Sequence, residues 1–139
     1  MKLLCFQAKR FYWQTHSKTL PQVADLSIAA EVLETVVVFI HAEASDAAQA
    51  RTLSVQRHTL KHIKWLANKR GLKNIVLHSF AHLGGDTSDP AFAEYFITSL
   101  AERLRAAAYQ VWITPFGYFC EWDIRVYGDS LAKVWKEIR

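Results

Sequence analysis

The run Val36-Val37-Val38-Phe39-Ile40 restricts the fold of this sequence more than any other feature. Consecutive apolar residues that are mostly β-branched are typical of a central strand buried on both faces of a sheet. Such a strand needs other elements packed against both of its faces. The run therefore predicts a layered domain in which a sheet is covered by helices.

Helix and strand signals surround this run. Ahead of it we predict strands at 2–8 and 10–16, joined as a hairpin near Ala8-Lys9, and then mostly loop at 17–32. After it we predict, in chain order, a helix at 47–69, a strand at 74–80, a helix beginning at 89–90, strands at 110–114 and 119–127, and a helix at 131–138. The expected fold is α/β, a mixed β-sheet of about six strands with three helices packed on it, in a single domain 1–139.

The composition is that of a globular protein, with a net charge of +4 and a pI near 9.2. This charge is compatible with a polyanionic partner such as RNA, although ordinary solubility charge is the simpler explanation. Cys5 and Cys120 form no CxxC motif or disulfide framework, which favours a reducing cytoplasm. We expect no signal peptide, no membrane span and no cofactor, and a complete, free-standing chain.

Two blocks combine a strand with a polar or turn segment, Leu77 to Gly85 and Thr114 to Trp122. Ligand sites of α/β folds lie where strands end in exposed loops, so both blocks are candidate site segments. His78 and His82 have HxxxH spacing, but they lie on a strand and loop instead of a helix face, so we expect no metal. His82 precedes Gly84 and Gly85, which favours a ligand contact or a proton transfer for His82.

Alternation on the strand after Gly117 separates two sets of side chains. Cys120 and Trp122 face one side of the sheet, and Phe119 and Glu121 face the other. A nucleophilic cysteine would need a base and an electropositive site, whereas a small buried hydrophobe is the simpler interpretation of Cys120.

Three motifs carry a resemblance to a known family. They are Phe80-Ala81-His82-Leu83, Pro115-Phe116-Gly117-Tyr118, and Gly128 with Leu131-Ala132. In order and spacing they resemble the N-terminal editing domain of archaeal-type threonyl-tRNA synthetase, which shares its fold with D-aminoacyl-tRNA deacylase. The resemblance covers most of the chain and is weakest at 9–33.

The resemblance implies a deacylase that acts in trans on mischarged tRNA, either Ser-tRNA(Thr) or a D-aminoacyl-tRNA. A threonine pocket rejects serine by only ~1–3 kcal/mol for one missing methyl, so a second, hydrolytic site is needed. In this family the terminal ribose 2′-hydroxyl helps to activate water. The implied partners are the tRNA acceptor end, a threonyl-tRNA synthetase and a second copy of the chain.

Carried over by position, His82 matches the family histidine and Tyr118 the first tyrosine of its motif. Phe119 and Cys120 stand where the family has tyrosine and lysine, and Lys133 stands where it has an acidic residue. We hypothesise that Lys133, from the last helix, presents its ammonium beside Cys120, with His82 as the third catalytic group. The expected substrate-contacting residues are Phe80, Ala81, Gly84, Pro115, Phe116, Gly117, Tyr118 and Phe119.

Two other interpretations remain open. The missing lysine favours a binding module that kept the fold, lost hydrolysis and binds tRNA, a nucleotide or an amino acid. A hydrolase of a small acyl compound is a third interpretation. His82, Tyr118 and the intact glycine loop favour the enzyme.

Overall fold

A six-stranded mixed sheet forms the centre of the computed structural model, which describes residues 1–139. The strands are β1 (Lys2–Lys18), β2 (Ala29–His41), β3 (Asn74–Ser79), β4 (Gln110–Ile113), β5 (Tyr118–Val126) and β6 (Lys133–Glu137). The helices are α1 (Gln49–Asn68) and α2 (Pro90–Ala106), with 3-10 turns at Ala44–Ala47 and Ser130–Ala132. The predicted α/β class and mixed sheet are confirmed. Neither helix combines the length and the apolar character needed to cross a membrane.

The long strand β1 organises the sheet, whose order is β4-β3-β2-β1-β5 with β6 also paired to β1. The pairs β2–β3 and β3–β4 are parallel, and β1 is antiparallel to each of its partners. Along the same edge of β1, the first residues pair with β6 and the later ones with β5. One strand thus holds both C-terminal strands in place.

The predicted hairpin at 2–8 and 10–16 is wrong, because both segments belong to the single strand β1. The register against β5 shifts between Ala8 and Arg10, which marks a β-bulge at Lys9 instead of a turn. The predicted loop at 17–32 likewise contains the end of β1 and the start of β2. A break in the alternation of apolar and polar residues along a sequence is compatible with a β-bulge as well as with a turn.

Polar and aromatic side chains hold the strands around the bulge. The Arg70 guanidinium lies 3.9 Å from the centre of the Tyr127 ring, and its Nε donates to Gln7 Oε1 at 3.0 Å. The Tyr127 hydroxyl donates to a Glu34 carboxylate oxygen on β2. These contacts join the end of α1 to β1, β2 and the segment after β5.

The predicted helix at 131–138 is also wrong, so the domain has two helices instead of three. Residues Ser130–Ala132 form one 3-10 turn, and Lys133–Glu137 form β6 against Lys2 to Phe6 of β1. The first residues of β1 would otherwise present an unpaired edge, and β6 satisfies their backbone groups. This long-range pairing overrides the helical pattern of the segment.

Hydrophobic clusters cover both faces of the sheet. The larger cluster packs α1 and α2 on one face and includes Ile63, Phe96 and Leu100. The smaller cluster occupies the other face and includes Phe11, Trp13 and Phe39. Helices cover the first face, so the second face is where a ligand could reach the sheet.

The amino terminus is anchored inside the protein. The Met1 ammonium is fully buried, 2.5 Å from Glu43 Oε1 and 2.9 Å from Asp46 Oδ2. Lys2 Nζ lies 2.5 Å from the other oxygen of Glu43. Burial opposes ionisation of Glu43, but hydrogen bonds from Lys2 and Met1 outweigh it and lower its pKa to about 2. Ionised Glu43 therefore stabilises the folded chain.

Acid should remove this stabilisation. A lowered folded-state pKa contributes stability that is full above the unfolded value of about 4.5 and is lost as the pH falls toward about 2. The difference in free energy of unfolding between wild type and Glu43→Gln should be largest at pH 6 and shrink by pH 2.5. Urea unfolding across this range measures the difference. Glu94→Gln, an exposed change on α2, should stay near wild type throughout, and a constant gap for Glu43→Gln would contradict the expectation.

Candidate functional site

An aromatic cluster lies on the helix-free face, near the carboxyl ends of β2 and β3. Its members, named here the aromatic cluster, are Phe39, His78, Phe80 and Trp122. The Trp122 ring lies 4.9 Å from Phe39 and 5.1 Å from His78 between ring centres. In a flat sheet β5 and β3 would stand roughly 14 Å apart, so these contacts require a curled sheet. Trp122 is 40% exposed, and the cluster therefore opens to solvent.

His78 is the buried polar group of this cluster. Its Nδ1 lies 2.7 Å from the Thr114 hydroxyl, at the end of β4. Burial lowers the pKa of His78 to about 4, so its imidazole is neutral near pH 7. The partner hydroxyl orients the ring, and His78 can offer a hydrogen bond but no charge.

His82 lies at the exposed rim of the aromatic cluster, with its ring 5.1 Å from Phe80. The buried His41 holds the loop that carries it. Leu83 N–H donates to His41 Nδ1 at 2.9 Å, and His41 Nε2 donates to the Asp86 carbonyl at 2.6 Å. Sequence reasoning missed His41, although a histidine at the end of the buried run was the available signal.

Gly84 and Ala81, two small residues of this loop, lie in different surroundings. A Cβ added to Gly84 would lie 2.9 Å from Lys2 Nζ, so this glycine leaves room for the lysine side chain. Ala81 is exposed beside the aromatic cluster. Close packing against Lys2 is thus a structural reason for Gly84, beside its predicted role at a ligand.

The second block packs against the loop 19–28. The Tyr118 hydroxyl accepts a hydrogen bond from Leu26 N–H at 2.8 Å and donates to the Ala24 carbonyl. Gly117 has φ +82°, and its carbonyl accepts hydrogen bonds from the start of the same loop. Pro115 and Phe116 are half-buried in this turn. Both hydrogen bonds of the Tyr118 hydroxyl therefore go to the backbone of the loop 19–28, which they hold in place.

Phe119 and Cys120 point to opposite faces of β5, as alternation predicted. Cys120 pairs with Thr15 and packs against the smaller hydrophobic cluster. Phe119 is 56% exposed and does not share the face of the aromatic cluster. Burial raises the pKa of the Cys120 thiol, which is therefore protonated near pH 7.

The structure does not bring Lys133 to Cys120 within one chain. Lys133 begins β6 and pairs with Phe6, whereas Cys120 pairs with Thr15, much further along β1. Lys133 Nζ donates to the carbonyls of Tyr127 and Gly128 at 3.0 and 3.2 Å. A nearby ammonium would lower the thiol pKa, and the pKa is raised instead.

The acidic residues of β5 do not add a metal site. Glu121 and Asp123 are exposed on β5, and Asp123 pairs with Arg10 at 2.8 Å. No three His, Cys, Asp or Glu side chains are grouped as a metal site would need. The fold and the aromatic cluster together define an α/β domain with an open sheet face whose aromatic residues carry no charge near pH 7.

Comparison with known proteins identifies the family of this domain. The model of the archaea-specific editing domain of threonyl-tRNA synthetase matches residues 1–138, and the chain belongs to this family. A solved structure of c-Myc DNA unwinding element binding protein shares the fold, with a TM-score of 0.68 at 16% identity over 99% of this chain and 98% of the other. The family resemblance drawn from the motifs is confirmed.

Relatives named threonine–tRNA ligase match this chain along most of its length. The protein of Thermofilum pendens is 26% identical over 100% of this chain, and that of Hyperthermus butylicus is 28% identical over 96%. The protein of Nanoarchaeum equitans is 30% identical over 76% of the chain. The matches cover 23%, 22% and 16% of these relatives, so the chain spans less than a quarter of their length.

Gly117 should be required for the turn that carries Tyr118. Alanine there would adopt a left-handed φ and bring its Cβ within 2.7 Å of Val23 Cγ1. We expect Gly117→Ala to lower the free energy of unfolding by about 2 kcal/mol, measured by urea denaturation. Gly85→Ala, which meets no atom within 4 Å and has no such φ, is the matched control. Equal stability of the two variants would contradict this account of the turn.

Proposed function

We propose that this domain is an aminoacyl-tRNA deacylase that hydrolyses the ester of serine on mischarged tRNA(Thr). The observation that carries the proposal is membership of the threonyl-tRNA synthetase editing-domain family over residues 1–138. Serine lacks one methyl of threonine, and a threonine pocket gains only ~1–3 kcal/mol of discrimination from that methyl. A second site that hydrolyses the wrong product is therefore needed, and an editing role fits this need. A D-aminoacyl-tRNA is the alternative substrate.

The aromatic cluster supports binding of the terminal adenosine of the tRNA. Trp122 and Phe80 present partly exposed rings beside the His82 loop. Stacking of a base on an aromatic side chain contributes roughly 1–3 kcal/mol and needs no charge. With the base on these rings, the ester on the terminal ribose would lie toward His82.

The lack of a strong base or a thiolate in the aromatic cluster supports a proton transfer through the substrate. With a pKa of about 4 His78 is a weak base, and Cys120 is a protonated thiol near pH 7, so neither supplies a strong base or a thiolate. In the proposed reaction water adds to the ester carbonyl carbon, with the adjacent ribose 2′-hydroxyl relaying its proton. The bond to the 3′ oxygen breaks, and that oxygen keeps the proton. His82 orients the water, and the protein contributes mainly positioning.

A tRNA-binding module without hydrolysis is the second candidate. It is favoured by Phe119 and Cys120, which stand where the family resemblance expects tyrosine and lysine, and by Lys133, whose ammonium is engaged by two carbonyls. A homodimer, a synthetase partner and a cytoplasmic location stay predictions from the resemblance and the composition.

Release of the amino acid tests the proposal. The protein should release serine from Ser-tRNA(Thr) and leave Thr-tRNA(Thr) and D-aminoacyl-tRNA intact. A substrate that ends in 2′-deoxyadenosine, charged on its 3′-hydroxyl, should react at least ~100-fold more slowly, because the proton relay is missing. Release from the D-aminoacyl-tRNA alone would identify this alternative as the substrate. Binding of tRNA without release of any amino acid would identify the domain as a tRNA-binding module without hydrolysis.

Variants in the same assay separate the candidate catalytic residues. We expect His82→Ala to lower kcat roughly 10- to 100-fold, because water loses its orienting group. Cys120→Ala and Lys133→Ala should change kcat less than about twofold, since neither residue presents a reactive group at the ligand face. His16→Ala, an exposed histidine near the end of β1, is the matched control. A His82→Ala variant as active as this control would remove His82 from the mechanism.

A further inference from the structure

A second concave surface lies outside the aromatic cluster, between α1 and β6. This groove, named here the α1–β6 groove, has a volume of about 650 Å³. Its basic and aromatic lining residues are His58, Lys61, His62, Trp65, Lys136 and Arg139, and Glu137 also lines it. None of these residues belongs to the motifs that identified the family.

The charge of the groove is positive. Lys61 and Lys136 are exposed and form no ion pair, so their ammonium groups are available to a ligand. The acidic residue of the lining, Glu137, pairs with Arg139 at 3.2 Å. Two free cations on facing elements are suited to the phosphates of a nucleic acid backbone.

Trp65 gives the groove an aromatic surface. It is 45% exposed, and the His62 ring stacks against it at 5.9 Å. His62 Nε2 is buried in the folded chain and has no hydrogen-bond partner. Because that nitrogen is buried, the exposed Trp65 ring is the group that a ligand would contact, and a stacking surface beside cations fits ribose and base better than it fits an acidic peptide.

The groove and the His82 loop lie at the same end of the sheet. Glu137 of the groove pairs with Lys2 on β1, and the Lys2 ammonium lies against Gly84 of the loop. A nucleic acid seated in the groove could therefore pass around the edge of β6 to the His82 loop. This arrangement suits a ligand that is long and ends in the group to be hydrolysed.

We propose that the α1–β6 groove binds the acceptor stem of the tRNA, with Lys61 and Lys136 on backbone phosphates and Trp65 against a ribose or base. The proposal rests on the proposed function, because that function makes tRNA the substrate. The groove then supplies affinity for tRNA, while the aromatic cluster and His82 act at its terminal nucleotide.

Binding of deacylated tRNA(Thr), followed by fluorescence anisotropy at several salt concentrations, tests the groove. The double variant Lys61→Ala/Lys136→Ala should raise Kd on the order of 10- to 100-fold near 0.1 M salt. It should also reduce the slope of log K against log salt by about 1.8, since two phosphate contacts are lost. Trp65→Ala should raise Kd at least about fivefold with little change in slope.

The matched control is Arg103→Ala/Arg125→Ala, which removes the same charge from exposed positions on α2 and β5. Equal Kd and slope for the two double variants would overturn the proposal, as would groove-dependent binding of poly-glutamate with no binding of tRNA. Serine release measured on the same proteins keeps the two proposals apart. Groove-dependent tRNA binding without release supports the groove and rejects hydrolysis, whereas release that is equal in both double variants at subsaturating tRNA rejects the groove.

Discussion

The β-bulge at Lys9 determines the shape on which the rest of the domain depends. Before it, odd-numbered side chains of β1 such as Cys5 lie under the helices, and after it Phe11 lies on the opposite face. On β2, the alternation of side chains between the two faces of the sheet also shifts by one residue. The shift occurs at Glu34, which lies opposite Lys9 and has φ 49°. A bulge bends a strand and increases its twist, which carries β5 over the helix-free face and brings Trp122 onto Phe39.

Hydrophobic periodicity in the sequence correctly predicted the elements that pack in the apolar centre of the sheet. The run Val36 to Ile40 is buried on both faces, and β3, β4 and both long helices lie where periodicity placed them. Two of the errors concern β1, at its bulge and at its pairing with residues 133–137. Both depend on contacts between distant parts of the chain, and no local periodicity reports which segment will cover a free strand edge.

The candidate site was predictable only in part, for the same reason. The motif placed Phe80 and His82 together, and alternation placed Trp122 on the face of Cys120. The contact of Trp122 with β2 and β3 follows from the curl of the sheet, and the anchoring role of His41 follows from the path of a loop. Tyr118 shows the converse, because its motif suggested a ligand contact and its hydroxyl holds residues Ala24 and Leu26.

The electrostatics of the aromatic cluster limit the chemistry that this face can perform. Two potentially reactive groups, His78 and Cys120, are buried enough to keep their uncharged forms near pH 7. An uncharged aromatic face binds a base by stacking without paying to desolvate a charge, but it cannot generate a strong nucleophile. Under the proposed function, a substrate that carries its own hydroxyl beside the ester would supply the missing group. The absence from β5 of the lysine that the family resemblance expects would then be compatible with hydrolysis, provided that His82 and the aromatic rings hold the ester and water in line.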